Sequence, residues 1–227
     1  TSHPIMSSFE PGSTFKVVGA TALLEANKVH PMDIFFCENG NFSIHGIEIK
    51  DWRSFENLTF SEVIQNSSNI GTIKAVEELE SSQLFSTARK FGFSEKSGIQ
   101  FPYENGGSLK NNKYWSSVSK SEIAIGYEVA VTSLQLAMAY SAIGNGGVLL
   151  KPQLIKSFMT PDGFEQEVDQ MDAIRRVASE NTMSTLSNIL ENAVSKGTGS
   201  KAFLPNLKIA GKTGTAKKWK DGKYVSE

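Results

Sequence analysis

Apolar and polar positions alternate along the chain in short blocks, and the blocks predict a succession of short helices and strands. Val17, Val18, Ala20, Ala22, Leu23 and Leu24 form an apolar run that follows Pro11-Gly12. Proline and glycine suit a sharp entry, so a turn should lead there into a helix. Residues 29–38 read as an irregular connector through Pro31. Phe42, Ile44, Ile47 and Ile49 then alternate about His45-Gly46, the pattern of a hairpin. Thr59-Phe60-Ser61-Glu62 has the spacing of a capping box and should open a helix that stops near Asn66. Further helices are expected over about 70–79 and 83–90, the second ended by Gly92.

Residues 94–120 are rich in loop formers, with Phe101, Tyr103, Tyr114 and Trp115 as punctuation. Such a loop either edges a binding site or uses its aromatics as staples to the core. A second capping box, Thr132 to Gln135, should start a helix that ends at Asn145-Gly146-Gly147. A β-like region over 148–177 contains a turn at Pro161-Asp162-Gly163. Ser179 is placed to cap a helix over 180–195, closed by Gly197-Thr198-Gly199. Residues 207–216 read as a strand, and Asp221-Gly222 as a hairpin turn after it.

Composition narrows the function classes. The 227 residues suffice for one large domain, and 39% hydrophobic with 21% charged residues is ordinary for a globular chain. A net charge of −1 offers no electrostatic footprint for nucleic acid. Cys37 is the single cysteine, which excludes an intrachain disulfide and a cysteine-based metal cluster. His3, His30 and His45 are scattered without ligand spacing, so a Ser-His-Asp triad has little support. No apolar run approaches the roughly 18 residues of a membrane span.

Candidate chemistry begins at Ser13 and Lys16. Positions i and i+3 share a helix face, so hydroxyl and amine can meet locally. A serine in the first turn also sits beside unpaired backbone N–H groups at the positive end of the helix dipole, where an alkoxide would be stabilised. Ser-x-x-Lys is common by itself, and Ser117 to Lys120 repeats it without a turn-to-helix entry. The plainer reading is an N-cap serine and a solvated lysine. Two further elements change the balance: Ser67-x-Asn69 and Lys212-Thr213-Gly214-Thr215. Each is weak alone, and Ser179 to Asn181 also matches Ser-x-Asn. In this order and context the three together fit acyl transfer.

In that reading Ser13 is the nucleophile, and Lys16 is the base provided its amine is neutral at attack. Burial and the second cation, Lys212, would both lower its proton affinity. Ser67 could relay a proton to the leaving amine, and Asn69 could hold Lys16 and bind substrate amide. Lys212 would attract a substrate carboxylate, with Thr213 and Thr215 as hydroxyl donors and Gly214 leaving room for close approach. The backbone N–H groups of Ser13 and Thr215 are the expected oxyanion-hole pair.

The three motifs, as Glu10-Pro11-Gly12-Ser13-Thr14-Phe15-Lys16, Asn66-Ser67-Ser68-Asn69-Ile70-Gly71 and Gly211-Lys212-Thr213-Gly214-Thr215-Ala216, resemble those of class B penicillin-binding proteins. Gly126-Tyr127, the segment from Val131 to Tyr140, Asn145-Gly146-Gly147 with Pro152, and Gly197-Thr198-Gly199 extend the resemblance over nearly the whole chain. The stretches from Cys37 to Gly40 and from Ile49 to Trp52, with Leu58-Thr59, are most similar to the cell-division (septal) or sporulation branch. Glu128 departs from the family, which usually has a small residue after Gly-Tyr.

The resemblance implies an α+β fold of the penicillin-binding and serine β-lactamase-like type, an antiparallel sheet flanked by helices. It implies a peptidoglycan D,D-transpeptidase that cross-links D-Ala-D-Ala stem peptides, is acylated by β-lactam antibiotics, and needs no metal or organic cofactor. The parent would be anchored in the bacterial cytoplasmic membrane, with this domain outside it, and would work with a membrane glycosyltransferase and division proteins. Residues 1–227 would be a partial transpeptidase domain, truncated at both ends. Alone it is expected to leave the sheet incomplete, with an unpaired strand edge. The rival readings are a serine β-lactamase, for which no deacylating base is identified, and a β-lactam-sensing or scaffolding domain on the same fold.

Overall fold

A computed structural model describes residues 2–168 and 172–214, and the backbone of 217–220 and 223–226. The chain opens with a one-turn helix α1 (His3–Met6) and a short strand β1 (Ser8–Phe9), then a 3-10 turn, Gly12–Phe15, that runs directly into α2 (Lys16–Glu25). Every residue of α2 from Lys16 to Leu23 is buried. A helix that is apolar nearly all round belongs in an interior, and α2 is the central element of this fold.

Around it the predicted elements form largely as their patterns require. Residues 29–38, read as an irregular connector, instead contain strand β2 (Ile34–Phe36), which precedes the hairpin of β3 (Asn41–Ile44) and β4 (Ile47–Lys50), whose register pairs Ile44 with Ile47. His45 and Gly46 both have positive φ, the conformation a two-residue hairpin loop demands. Strand β5 (Asn57–Thr59) pairs with β2 and ends on Thr59, whose side chain and Glu62 complete the capping box of α3 (Phe60–Gln65). Helix α4 (Asn69–Val76) stops short of the expected 79. The chain must turn there, because Glu80 and Gln83 form a second reciprocal cap that starts α5 (Ser81–Lys90) two residues early.

After the loop containing β6 (Ser108–Leu109) come α6 (Ser119–Ala124), β7 (Val129–Thr132) and α7 (Ser133–Gly144). Strand β7 is central to a three-stranded antiparallel sheet, in the order β1-β7-β6. It therefore ties the residues just before the Ser13 turn to the middle of the chain. Gln135 on α7 gathers the intervening loop, donating from Nε2 to the carbonyls of Glu95 and Gly106 at 2.9 and 2.7 Å. Of the loop aromatics, Trp115 acts as a staple, edge-on to Phe85 on α5, while Phe101, Tyr103 and Tyr114 are exposed.

The β-like region resolves into β8 (Val148–Leu150), β9 (Ser157–Met159), β10 (Glu165–Glu167) and β11 (Ala173–Arg176), paired antiparallel as β8–β11 and β9–β10. The turn at Gly163 forms as expected, with its N–H bonded to Thr160. Ser179 caps α8 (Glu180–Ser195), whose apolar face covers α2 and α3. Final strands β12 (Lys217–Lys220) and β13 (Lys223–Ser226) pair with each other.

The strand expected over 207–216 is a correction. Residues 208–214 have no regular structure. Within them Gly211 N–H donates to the Leu190 carbonyl of α8, and the Thr213 hydroxyl shares a hydrogen bond with that of Thr198. Thr215, Ala216 and the turn expected at Asp221-Gly222 lie outside the described residues. All strand pairings described are antiparallel, in one three-stranded and five two-stranded sheets.

Candidate active site

The turn that carries Ser13 is held from three directions. Gly12, with φ +54°, donates its N–H to the Gly126 carbonyl at 3.1 Å. The Thr14 hydroxyl closes the turn onto the Pro11 carbonyl at 2.7 Å, and the Tyr140 hydroxyl donates to the Thr14 carbonyl at 3.0 Å. Phe15 anchors the far side, stacked at a tilt on Phe93. Ser13 is half-buried at the mouth of a cleft, and Lys16, 0% exposed, lies beneath it.

Lys16 is not the solvated residue of the plainer reading. Its amine donates to the Ser67 carbonyl at 2.7 Å, to Asn69 Oδ1 at 2.8 Å and, more loosely, to Ser67 Oγ at 3.4 Å. Among the described contacts none joins Lys16 to Ser13, although both belong to one turn. The amine is aimed instead at the second motif. Burial first, and then the positive charge of Lys212, push the Lys16 amine well below the ordinary lysine value, against an opposing pull from Asp51.

Ser67 and Asn69 owe their positions to the break between α3 and α4. Ser67 sits at φ +60°, uncommon for a residue with a Cβ, and this reverses the chain between the two helices. Ser68 caps α4 through Gly71 N–H at 2.9 Å. Asp51, just beyond β4, fastens the junction from the side. Its Oδ1 accepts from Asn69 N–H at 2.5 Å and from Ile70 N–H at 3.2 Å, and its Oδ2 accepts from the Ser68 hydroxyl at 2.6 Å. The Asn69 side-chain amide donates to the Lys50 carbonyl at 2.9 Å, leaving Oδ1 for Lys16.

The third motif crosses the opposite wall. Lys212 Nζ donates to the Thr213 carbonyl at 3.0 Å, and burial lowers its amine to about 8. Thr213 and Thr198 share a hydrogen bond of 2.6 Å between their hydroxyls. Gly214 has a packing reason beyond the expected approach of substrate. A Cβ there would meet Thr14 Cγ2 at 2.7 Å, so the missing side chain lets this segment lie against the turn that carries Ser13. Thr215, the expected second oxyanion donor, lies outside the described residues.

The resulting cleft has a volume of about 540 Å³, and its lining includes Ser13, Ser67, Asn69, Thr213 and Gly214. Thus five of the eight residues read from sequence line one space, while Lys16 and Lys212 act from behind its walls. Asp51, Trp52, Tyr127 and Thr198 also line it. Asp51 and Trp52 follow a hairpin strand and carry no spacing signal toward Ser67. Their part in the site comes only from the folding of β4 beside α4. No lining residue falls in the 94–120 loop.

The decoy Lys120 points elsewhere, pairing with Glu77 and bonding the Leu79 carbonyl at 3.2 Å. The three histidines are exposed. Glu128 is exposed too, at φ +52°, and its N–H donates to Glu10 Oε1 at 3.2 Å. Among the described residues no group of three or more His, Cys, Asp or Glu side chains could hold a metal ion.

This α+β arrangement is the transpeptidase fold of the penicillin-binding proteins. The crystal structure of penicillin-binding protein 3 from Mycobacterium tuberculosis, complexed with aztreonam, superposes with a TM-score of 0.90 at 31% identity, over 98% of this chain and 52% of that one. The chain belongs to the penicillin binding protein transpeptidase domain family, whose model matches residues 2–227. It is 37% identical over 225 residues to stage V sporulation protein D of Bacillus subtilis, covering 98% of this chain and 35% of that protein. It is 32% identical over 225 residues to the peptidoglycan D,D-transpeptidase FtsI of Escherichia coli K12, covering 98% and 36%. The resemblance to the septal and sporulation branch of the class B proteins therefore holds. The chain spans about a third of the length of these curated relatives.

Proposed function

We propose that residues 1–227 carry the acylation centre of a peptidoglycan D,D-transpeptidase, as part of the transpeptidase domain of a longer protein. The observation that carries this reading is the fully buried Lys16 amine, held by Ser67 and Asn69 under a cleft that Ser13 lines.

In the first half-reaction Ser13 Oγ attacks the carbonyl of the terminal D-Ala-D-Ala peptide bond of a stem peptide. Its proton passes to the neutral Lys16 amine. The tetrahedral oxyanion is met by backbone N–H groups, of which Ser13 supplies one and Thr215 the other. Collapse breaks the C–N bond. The departing D-alanine amine takes a proton through Ser67, which is in contact with both the Lys16 amine and the cleft. Lys212 and Thr213 receive the terminal carboxylate, and Asn69 receives the peptide amide. An amine from a neighbouring stem peptide then attacks the ester, and the same groups return the proton and release Ser13.

A β-lactam follows only the first half, because opening its ring leaves no departing amine to vacate the cleft. A β-lactamase would require a base to activate water. Asp51, the carboxylate lining the cleft, already accepts three hydrogen bonds from the Ser67–Asn69 junction and α4, which supports the transpeptidase reading. We further place the parent on the outer side of the cytoplasmic membrane, held by a segment other than those described, since no helix among the described residues is long and apolar enough to cross one. A glycosyltransferase and division proteins are the partners this role requires.

The test is intact-mass analysis of the full-length protein after benzylpenicillin treatment. A stable adduct, lost in Ser13→Ala, is the expected result. A folded wild-type protein with no adduct would leave a scaffold as the better reading. Steady hydrolysis of the drug would favour the lactamase.

A further inference from the structure

We propose that Asp51 is a positioning residue of this centre: it clamps the Ser67-Ser68-Asn69 junction in its working shape and supplies the negative charge that balances the buried Lys16 amine. The inference rests on the reading of Lys16 as the base for Ser13.

Among the described residues, the hydrogen bonds of the Asp51 carboxylate all go to Ser68 and the start of α4. Asp51 follows β4 immediately, and its own N–H is fixed to the Gly40 carbonyl at 3.1 Å, so its backbone is held by the strand hairpin and not by the helices. From there both carboxylate oxygens reach across to the break between α3 and α4. One accepts the first two N–H groups of α4 and the other accepts the Ser68 hydroxyl. A carboxylate at a helix N-terminus is stabilising wherever it occurs. Here it does more, because residues on both sides of Ser68 are the acceptors of Lys16. Ser67 stands at positive φ and presents its carbonyl and hydroxyl, and Asn69 presents Oδ1. Releasing Asn69 N–H and Ser68 would free the junction to relax toward ordinary backbone geometry and take those acceptors away.

Charge is the second half of the role. Lys16 is faced by Asp51 from the end of β4, by Lys212 from 211–214, and by the neutral side chains of Ser67 and Asn69 from the helix junction. Lys50 and Tyr127 look into the same cleft. The buried Cys37 also feels Asp51, and Lys74 opposes that influence there. Among the described residues that act on Lys16, Asp51 is the anionic one, and Lys212 opposes it. Burial is the larger influence and lowers the amine, Lys212 adds to it, and Asp51 pulls the other way, so removing the Asp51 charge would let the amine lose its proton at lower pH.

Two variants separate clamp from charge. Asp51→Asn keeps a carbonyl oxygen for the two helix N–H groups, and its amide can donate to Ser68 Oγ, whose own proton can turn to the Cys37 sulfur 3.5 Å away. The clamp survives and the charge is lost. Asp51→Ala removes both. In the full-length protein the rate of adduct formation with benzylpenicillin would be measured against pH, beside thermal melting. Expected for Asp51→Asn is a melt near wild type and an acidic limb displaced to lower pH, because Lys16 loses its proton more easily. Expected for Asp51→Ala is acylation slower by about tenfold to a hundredfold at every pH, the scale of a misplaced catalytic group.

An Asp51→Asn profile that coincides with wild type, or moves to higher pH, overturns the charge role. Asp51→Ala acylating at the wild-type rate overturns the clamp. Should Asp51→Ala fail to fold, the Asp51→Asn profile decides alone, since a merely structural cap would leave that profile in place. Wild-type protein that forms no Ser13 adduct would instead refute the underlying acylation reading, an outcome distinct from either failure here.

Discussion

Gly12 donates its N–H to the Gly126 carbonyl at 3.1 Å, and a Cβ built on Gly126, at φ +91°, would lie 2.0 Å from the Gly12 carbonyl oxygen. Two segments more than a hundred residues apart in sequence thus meet backbone to backbone at the Ser13 turn. Gly126→Ala must push them apart and adopt a strained backbone. The expected cost is about 1–3 kcal/mol, as for other overpacked sites, together with slower acylation of Ser13. Denaturant unfolding and adduct kinetics check the two parts, and a variant unchanged in both would show that the turn does not depend on this contact.

Gly214 and Thr14 form a similar contact that can be tested by rescue. Gly214→Ala places a methyl 2.7 Å from Thr14 Cγ2 and should drive the 211–214 segment off the turn, slowing acylation. Thr14→Ser removes that methyl while keeping the hydroxyl for Pro11. The double variant should recover most of the lost rate. If it does not, the defect lies elsewhere in the segment.

Lys212 should govern both sides of the pH profile, in opposite senses. Its positive charge lowers the Lys16 amine, so Lys212→Met should let Lys16 hold its proton longer and move the acidic limb of acylation to higher pH. Its own amine loses its proton near pH 8, so capture of a carboxylate-bearing substrate should weaken as pH rises through that value. Lys212→Arg stays charged well above it and should carry the alkaline limb upward. Stopped-flow acylation across pH measures both limbs. An alkaline limb unmoved in Lys212→Arg would assign it to another group.

Asn69→Ala removes an acceptor 2.8 Å from the buried Lys16 amine. Leaving such a donor short of a partner typically costs about 1–3 kcal/mol. The loss should be larger below the Lys16 proton-binding range, where the amine is charged, and smaller above it. Equal loss of stability at low and high pH would mean that the Asn69 bond to Lys50 is what matters.

Glu25, near the end of α2, ties the central helix to the start of α8, accepting from the Ser179 hydroxyl and from Thr182 Oγ1 at 2.9 and 2.6 Å. Burial raises its carboxyl, but the hydrogen bonds from Thr182 and Ser179 outweigh this and leave it below the ordinary glutamate value. A depressed carboxylate contributes stability that is complete above its unfolded value and is lost as pH falls through its folded one. Being exposed, it should contribute little, and Glu25→Gln should cost about 0.5 kcal/mol at neutral pH. The difference from wild type should vanish in acid, which chemical denaturation at two pH values would show.

Much of the local structure was legible because its causes are local. Thr59 with Glu62 and Thr132 with Gln135 close capping boxes within four residues, and His45-Gly46 supplies the positive-φ loop of a hairpin. The helix over 83–90 was expected to start later than it does because glutamate is an unusual N-cap. The strand over 207–216 was misread because local pattern does not show where backbone groups go: Gly211 N–H is taken by the Leu190 carbonyl of α8 and the Thr213 carbonyl by Lys212.

The sequence by itself determined the residue types of the candidate site, their order and the short turns that present them, since each motif carries its own turn chemistry. It could not say where the Lys16 amine points. Spacing within one turn suggested Ser13. The tertiary structure sends it to Ser67 and Asn69, because those acceptors become available only when α3 and α4 break against β4. Nor did the sequence give Asp51 a role: it fell within a stretch that carried the branch resemblance, and its oxygens meet Ser68 and α4 across seventeen or more residues of chain. Proton affinity at Lys16 depends on burial and on two charges brought from residues 51 and 212. Those are through-space quantities, fixed by packing and invisible to spacing.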